Sequence, residues 1–302
     1  MNELDGVQLN YDVDNILIVN ISLAFIMFGV ALGLTVEAFK NVLSQKKPVL
    51  VGLLSQFVVL PLLTFLLVLI FEPMPSVALG MMMVAACPGG NISNFISSYS
   101  QGNAALSVSL TAVSSILAIF MTPLNLSLWG SLYGPTAEIL QVVSLDILQV
   151  FRTIVLILGL PIVAGMLVRR YFPKTTQKVQ PVMTITSILI FSGLVVGAFA
   201  ANYQIFLEYI QYVLLIVFLH NAVALLSGYQ LATFFGLSQR DRRSLSIETG
   251  IQNSGLGLLL IFSFFGGLGG MAIVAGWWGI WHIISGLALG TWWNRRPIAQ
   301  LA

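Results

Sequence analysis

Apolar residues fall into nine long runs that are separated by short polar stretches. Each run reaches the length of about 20 residues that an α-helix needs to cross the hydrocarbon core of a bilayer. We therefore predict an all-α polytopic membrane protein with nine transmembrane helices. The predicted segments are residues 15–36, 48–71, 76–100, 104–129, 139–168, 180–201, 209–236, 244–266 and 271–293.

The third and eighth runs are each interrupted near the middle, by CPGGNISN at 87–94 and by ETGIQNSG at 248–255. Pro88 lacks a backbone N–H and disfavours helix before it. Gly89 and Gly90 tolerate non-helical backbone. Broken backbone at membrane depth survives only where it is buried in protein or lines a wet cavity. Two interrupted segments in corresponding positions therefore predict a transport site.

The two halves of the chain show a weak internal repeat. Polar residues lie within the run that precedes each interrupted run, Gln56 in one half and His220 with Asn221 in the other. Segments two to four match seven to nine, and segment one matches six. Segment five has no partner, so the pattern predicts an inverted repeat of five plus five helices that has lost its first helix.

Charged residues make up only 8% of the chain, and their placement predicts its orientation. Twelve of the 13 basic residues follow odd-numbered segments, and Arg152 lies inside the fifth. Basic residues mark the cytoplasmic side, so we expect an external N-terminus and a cytoplasmic C-terminus in the cell (inner) membrane. The twelve are Lys40, Lys46, Lys47, Arg169, Arg170, Lys174, Lys178, Arg240, Arg242, Arg243, Arg295 and Arg296.

Several functional classes lack their usual signals. The start of the chain is acidic, unlike a cleaved leader. The single Cys87 excludes an intrachain disulfide. The sequence contains no Walker loop and no HExxH helix, which argues against ATP-driven transport and against a zinc enzyme.

Glu248 is the strongest functional candidate, because a carboxylate inside a membrane segment is costly to keep there. Single polar residues such as Gln56, Ser107 and Thr111 can equally serve only to hold helices together. His220 with Asn221 is either a hydrogen-bonding pair that supports the fold or a proton relay. His282, which stands among aromatic residues, is either a packed imidazole or borders a cavity.

Four stretches resemble the bile acid:sodium symporter family: LSQFVVLP (54–61), CPGGNISN (87–94), GNAALSVSLTAVSS (102–115) and ETGIQNSGL (248–256). The resemblance covers nearly the whole chain and is that of a microbial member lacking the first helix. It implies a panel domain and a core domain, with two broken helices that cross in the core. We expect an external segment 1–14 and a cytoplasmic tail 294–302. The panel and flanking helices would lie in 15–71 and 139–201. The core would lie in 48–129 and 209–293 and would contain the broken helices 76–100 and 244–266.

The resemblance also implies two sodium sites that share Glu248. The first site would use Ser93, Asn94, Ser107, Thr111 and Glu248. The second would use Gln56, Glu248 and Gln252 together with the main-chain oxygens of Thr249 and Ile251. Substrate would lie near Asn91, Ile92, Asn253, Ser254 and His282. Asn91 and Ile92 depart from the Thr or Ala that the family often has there.

These expectations define a function. Na⁺ is a hard cation that takes oxygen ligands, and one carboxylate shared by two Na⁺ ions leaves a net positive charge that attracts an anion. We expect a symporter, not an enzyme, that imports an organic anion (bile-acid-like, pantoate or another small carboxylate) by alternating access. A proton-coupled carrier that uses Glu248, an ion channel and an intramembrane enzyme are the alternatives. Two co-transported Na⁺ ions, a small anionic substrate and the lipid bilayer are the expected partners, with no nucleic acid and no obligate protein partner.

Overall fold

The structure is a computed structural model that describes residues 3–6, 13–33, 40, 44–90, 92–142, 151–152, 155–296 and 298. Within these ranges the regular secondary structure is helical, and the β-type pairing recorded there is one isolated antiparallel bridge between Gly89 and Gln252. The helices are α1 Val13–Gly33, α2 Lys46–Phe71, α3 Pro75–Ala86, α4 Ile92–Tyr99, α5 Ala104–Leu132, α6 Gly134–Val142, α7 Leu160–Tyr171, α8 Pro173–Ala201, α9 Tyr203–Phe234, α10 Gln239–Gly250, α11 Ser254–Phe265 and α12 Gly269–Asn294.

Among the described residues, four of these helices, α2, α5, α9 and α12, are long and apolar enough to cross a membrane. Helices α3 and α11 are apolar but short, because each is one half of an interrupted run. Both predicted interruptions are confirmed: α3 ends at Ala86 and α4 starts at Ile92, while α10 ends at Gly250 and α11 starts at Ser254. The fifth predicted run crosses residues 143–150 and 153–154, which lie outside the described part of the chain.

The sixth predicted segment begins earlier than its apolar run indicated, since α8 starts at Pro173 and not near residue 180. Lys174 and Lys178 therefore lie on a helix with their side chains exposed. A helix satisfies its own backbone groups and can continue past the hydrocarbon, while long basic side chains reach water. The apolar run in the sequence therefore marks only the part of the helix that lies in the hydrocarbon region, and not the start of the helix.

Helix α1 packs against α7, α8 and α11. Small residues allow the close approach to α7 and α8: a Cβ added at Gly165 would lie 2.6 Å from Cβ of Ala31, and one at Gly29 would lie 3.0 Å from Oγ of Ser187. Such small-residue contacts are typical of helix pairs in membranes.

Helix α3 packs against α2, α5 and α12. Every residue from Ser76 to Ala86 is buried. Its approach to α12 depends on glycine, because a Cβ at Gly80 would lie 2.8 Å from Cα of Met271. The first half-helix is therefore enclosed by protein on all sides, as broken backbone at membrane depth requires.

Helix α2 contains a π-helical turn, Ser55–Val59, directly before Leu60 and Pro61. Pro61 has no N–H to give to the carbonyl of Phe57, four residues earlier. The side chain of Asn125 on α5 donates to that carbonyl at 3.1 Å instead. The π turn displaces the helix register where Gln56 faces the bundle interior, a position at which such turns often accompany functional sites.

Candidate functional site

The two interruptions lie against each other. The N–H of Gly90 donates to the carbonyl of Ile251 at 2.7 Å, and the N–H of Asn253 donates to the carbonyl of Pro88 at 2.8 Å. These two bonds flank the bridge between Gly89 and Gln252. Backbone groups that the helices leave unpaired thus pair with each other where the broken helices meet, as burial demands.

Gly89 is needed at this meeting point for a steric reason. A Cβ at this position would lie 2.9 Å from Oε2 of Glu248 and 3.2 Å from Nε2 of Gln56. A side chain at this position would require the carboxylate to move. The glycine that interrupts the first helix therefore also makes room for the acidic residue of the second.

The carboxylate of Glu248 is fully buried and accepts hydrogen bonds from three hydroxyl groups. Ser93 Oγ on α4 donates to Oε1 at 2.5 Å, Ser107 Oγ on α5 donates to the same oxygen, and Thr111 Oγ1 lies 3.2 Å from Oε2. Within the described ranges no basic side chain forms an ion pair with this carboxylate. A buried carboxylate held only by neutral groups lacks the charge compensation that buried ions usually have.

The amide oxygen of Asn94 lies beside the same hydroxyls. It is 2.9 Å from Ser107 Oγ and 3.1 Å from Thr111 Oγ1. Each hydroxyl carries one hydrogen, so Ser107 cannot donate fully to both Asn94 and Glu248. The three hydroxyl groups therefore make more close contacts to acceptor oxygens than their three hydrogens can fill. The structure brings together all five residues that were predicted for the first site.

The residues predicted for the second site also converge. Gln56 Nε2 lies 3.4 Å from the carbonyl oxygen of Glu248, and Gln252 Nε2 donates to the carbonyl of Thr249 at 2.8 Å. The carbonyl of Ile251 accepts the N–H of Gly90 in the first break. The side-chain oxygens of Gln56 and Gln252 are buried and have no hydrogen-bond donor among the residues that the structure describes. Such unpaired buried oxygens point to an unseen water or ion.

The oxygen-rich composition limits the kind of ion that could bind. Among the described residues there is no group of three or more His, Cys, Asp or Glu side chains that could hold a metal. Carboxylate, amide, hydroxyl and carbonyl oxygens suit hard cations and not the softer transition metals.

The residues predicted to contact substrate are less closely grouped. Asn91 lies outside the described residues. Ile92 packs against the buried cluster that contains Ile96 and Ile251. Asn253 caps α11, because its Oδ1 accepts the N–H of Leu256 at 3.0 Å. Ile92 and Asn253 therefore stand at the starts of the two helices that follow the breaks.

Ser254 and His282 are both buried. His282 lies on α12 with its ring edge-on to Trp278, and its Nδ1 has no hydrogen-bond partner within the described part of the chain. His220 packs against the same tryptophan, with its ring 4.7 Å from that of Trp278. Its Nε2 lies 2.7 Å from Thr64 Oγ1. The two histidines thus share one tryptophan.

Sequence analysis missed two polar contacts at this site. Ser55 Oγ lies 2.8 Å from Thr249 Oγ1 and so connects α2 to α10. Asn221 donates from Nδ2 to the carbonyl of Gly250 at 2.7 Å. The position of Ser55 beside Gln56 was a usable signal, whereas the contact of Asn221 required knowledge of how α9 packs on α10.

Several known proteins have sequences similar to this chain. The model of the sodium bile acid symporter family matches residues 20–209. The chain is 30% identical to the sodium-dependent transporter YocS of Bacillus subtilis over 278 residues, which is 92% of this chain and 83% of that protein. It is 32% identical to the probable chloroplastic sodium/metabolite cotransporter BASS1 of Arabidopsis thaliana over 284 residues, covering 93% of this chain and 68% of the relative.

A rice protein of the same description, from Oryza sativa subsp. japonica, is 33% identical over 247 residues, covering 82% of this chain and 58% of the relative. These relatives are named as transporters and not as enzymes. The matched profile and the extent of these similarities show that the chain belongs to the sodium bile acid symporter family.

Proposed function

We propose that this protein is a sodium-coupled symporter that imports a small organic anion by alternating access. The observation that carries the proposal is the Glu248 carboxylate, which is buried, ringed by hydroxyl groups and without a basic partner among the described residues. A cation in this position would supply the missing charge compensation. The relatives named as a sodium-dependent transporter and as a probable sodium/metabolite cotransporter support Na⁺ as that cation.

The acceptor-rich cluster supports a first Na⁺ position. Its ligands would be Ser93, Asn94, Ser107, Thr111 and one oxygen of Glu248. On binding the ion, the hydroxyl hydrogens would turn away and present lone pairs to it. Ser107 and Thr111 stand one turn apart on α5, so their hydroxyls face the same side of the helix.

The unpaired amide oxygens support a second Na⁺ position. Its ligands would be the Oε1 atoms of Gln56 and Gln252, the second oxygen of Glu248, and the carbonyls of Thr249 and Ile251. An ion here would satisfy the two buried amide oxygens that have no donor among the described residues. Glu248 would then be the single anionic ligand common to both ions.

Two Na⁺ ions around one carboxylate carry a net charge of about +1 by simple addition of formal charges, which favours an anionic substrate. Helices α4 and α11 start immediately after the two breaks. The N-terminus of each helix adds positive electrostatic potential at its break. Asn91, Ile92, Asn253, Ser254 and His282 are the proposed substrate contacts. The relatives named as sodium/metabolite cotransporters support a metabolite-sized organic ion.

Alternating access requires two bodies that move against each other. We assign α1, α7 and α8 to a panel, because α1 packs directly on the other two. The crossed helices with α2, α5, α9 and α12 would form the core. The substrate would bind where panel and core face each other, near the breaks.

A screen followed by transport tests this proposal. Purified protein is heated with small carboxylates in NaCl or in KCl, and a ligand of the folded state raises Tm. Compounds that act only in NaCl are then tested for uptake into proteoliposomes with an inward Na⁺ gradient. We expect saturable uptake that stops when K⁺ replaces Na⁺. Uptake driven by a pH gradient without Na⁺ would instead establish the proton-coupled carrier.

A further inference from the structure

The end of helix α10 is held by donors from several parts of the fold. Ile251 N donates to the carbonyl of Ile247 at 2.8 Å and makes the last helical bond. The four carbonyls that follow have no helical donor, as at any helix C-terminus. Each accepts one bond from elsewhere: Glu248 from Gln56 at 3.4 Å, Thr249 from Gln252 at 2.8 Å, Gly250 from Asn221 at 2.7 Å, and Ile251 from Gly90 at 2.7 Å.

Asn221 differs from the other donors because it belongs to neither break and is not a proposed ion ligand. It lies on α9 and is almost completely buried, with 1% of its surface exposed. Its amide is oriented by a second contact, since Ser285 Oγ on α12 donates to Asn221 Oδ1 at 2.5 Å. The oxygen therefore faces α12 and the nitrogen faces the carbonyl of Gly250.

The carbonyl that Asn221 holds belongs to a residue with unusual backbone freedom. Gly250 has no Cβ, and one placed there would lie 2.3 Å from Cδ2 of Leu225. Without a Cβ, glycine restricts its own φ and ψ less than other residues do. The peptide unit between Gly250 and Ile251 is restrained at both ends, its oxygen by Asn221 and its nitrogen by Ile247.

This peptide unit lies between two proposed sodium ligands, the carbonyls of Thr249 and Ile251. Rotation of the unit would redirect both of them, because successive carbonyls share the intervening backbone torsions. We propose that Asn221 is a positioning residue for the second sodium site, which it shapes through the Gly250 carbonyl without touching the ion. The inference rests on the proposed function, because it presupposes that Na⁺ binds at those carbonyls.

A matched hydrogen bond exists at the other broken helix. Thr122 on α5 is fully buried and donates to the carbonyl of Ala86, the last residue of α3, at 2.8 Å. Its acceptor is not a proposed sodium ligand and does not neighbour one. Loss of this bond should therefore reproduce the structural cost of losing the Asn221 bond without the effect on Na⁺.

The experiment compares Asn221→Leu with Thr122→Val, two near-isosteric changes that each remove one buried donor. Asn221→Leu also removes the acceptor of Ser285, but the Ser285 hydroxyl retains the carbonyl of His282 at 3.1 Å. Na⁺ is titrated calorimetrically into the purified full-length variants with ionic strength held constant by KCl, and Tm is recorded without Na⁺. We expect both variants to lose a similar few degrees of Tm. Only Asn221→Leu should weaken one of the two Na⁺ binding events, by about tenfold, leaving the other unchanged.

The opposite results are equally clear. Unchanged Na⁺ affinity in Asn221→Leu, or equal weakening in both variants, would show that Asn221 serves only the fold. If Asn221→Leu does not fold, Ser285→Ala decides, because it frees the amide without removing it; we expect about threefold weaker Na⁺ binding, and unchanged binding overturns the inference.

Failure of the proposed function gives a different result. Wild-type protein that binds no Na⁺ would overturn both proposals together. Wild-type binding that Glu248→Gln abolishes, but to which Asn221→Leu makes no difference, would overturn only the positioning role.

Discussion

Ser93 Oγ donates a 2.5 Å hydrogen bond to the carboxylate of Glu248, although 155 positions separate the two residues in the chain. Ser93 lies just after the first break, and Glu248 lies just before the second. The backbone pairs between Gly90 and Ile251 and between Pro88 and Asn253 connect the same two segments. The broken helices are therefore joined by main chain and by side chain at one place, and the acidic residue stands at that junction.

Replacement of Glu248 by Gln should abolish the effect of Na⁺ on stability. Gln keeps the size and one acceptor oxygen, so the variant should still fold and accept from the hydroxyls around it. It lacks the charge on which both proposed ions depend. Wild-type protein should gain about 2.7 kcal/mol at a Na⁺ concentration 100 times Kd. The measurement is Tm in NaCl against KCl.

Glu138→Gln is the matched control for that experiment, because Glu138 is an exposed carboxylate on α6. It should show the wild-type response to Na⁺. A full Na⁺ response in Glu248→Gln would mean that the carboxylate is not the shared ligand, and both proposed sites would have to be withdrawn.

Ser107→Ala and Gln56→Ala should each remove one ion and leave the other. Ser107 belongs to the hydroxyl cluster, whereas Gln56 contributes one of the two unpaired amide oxygens. Calorimetric titration should report about one Na⁺ per protein in each variant, against about two in wild type, by the proposed ligand sets. Loss of both ions in both variants would indicate a single, undivided site.

The sequence was informative at the breaks because the chemistry there is local. Proline and glycine are each costly in a helix interior, and it was their clustering in CPGG and among the polar residues after Glu248 that made both stretches recognisable as interruptions. The meeting of Ser93, Ser107 and Glu248 was reached by resemblance, because residues on three separate helices carry no local signal of their proximity.

Other features depend on packing that a single sequence does not display. The π turn at Ser55–Val59 alters which side chains α2 directs inward, and the apolar pattern of that run gives no sign of it. The start of α8 at Pro173 was missed because polarity near the headgroups does not end a helix. The bond from Asn221 to Gly250 depends on how closely α9 approaches α10.

Gly228→Ala should destabilise the protein, because α9 and α10 touch at this glycine. The new Cβ would lie 2.5 Å from the carbonyl oxygen of Leu245 and 2.8 Å from Oγ1 of Thr249. Overpacking of this kind costs about 1–3 kcal/mol. Thermal unfolding without Na⁺ should show a lower Tm than wild type.

Gly197→Ala on α8 is its control, because a Cβ there meets no atom of the described residues within 4 Å. This change should be neutral or slightly stabilising, since Ala favours helix over Gly by up to about 1 kcal/mol. Equal Tm for the two variants would show that the contact between α9 and α10 tolerates a wider spacing.

The predicted orientation is testable by labelling single cysteines on a Cys87→Ala background. Glu208 and Arg240 are exposed on opposite sides of the predicted seventh segment. An impermeant maleimide should label Glu208→Cys in intact cells and Arg240→Cys only after permeabilisation, because basic residues stay on the cytoplasmic side. Asp241 is unsuitable as a reporter, since it is buried and bonded to Asn103. The reverse labelling pattern would overturn the orientation.

Transport should be electrogenic if two Na⁺ ions accompany one monovalent anion. Each cycle then moves one net positive charge inward, and a potential of 100 mV contributes about 2.3 kcal/mol per cycle. That energy corresponds to roughly a fortyfold increase in the substrate ratio that can be maintained. Proteoliposomes with a K⁺ gradient and valinomycin should take up more substrate when the interior is negative, with a Na⁺ Hill coefficient above one. The same vesicles without valinomycin provide the control for the gradient itself. Uptake that requires Na⁺ but ignores the potential would mean that only one ion accompanies the anion, and the second proposed site would then serve the fold and not the transport cycle.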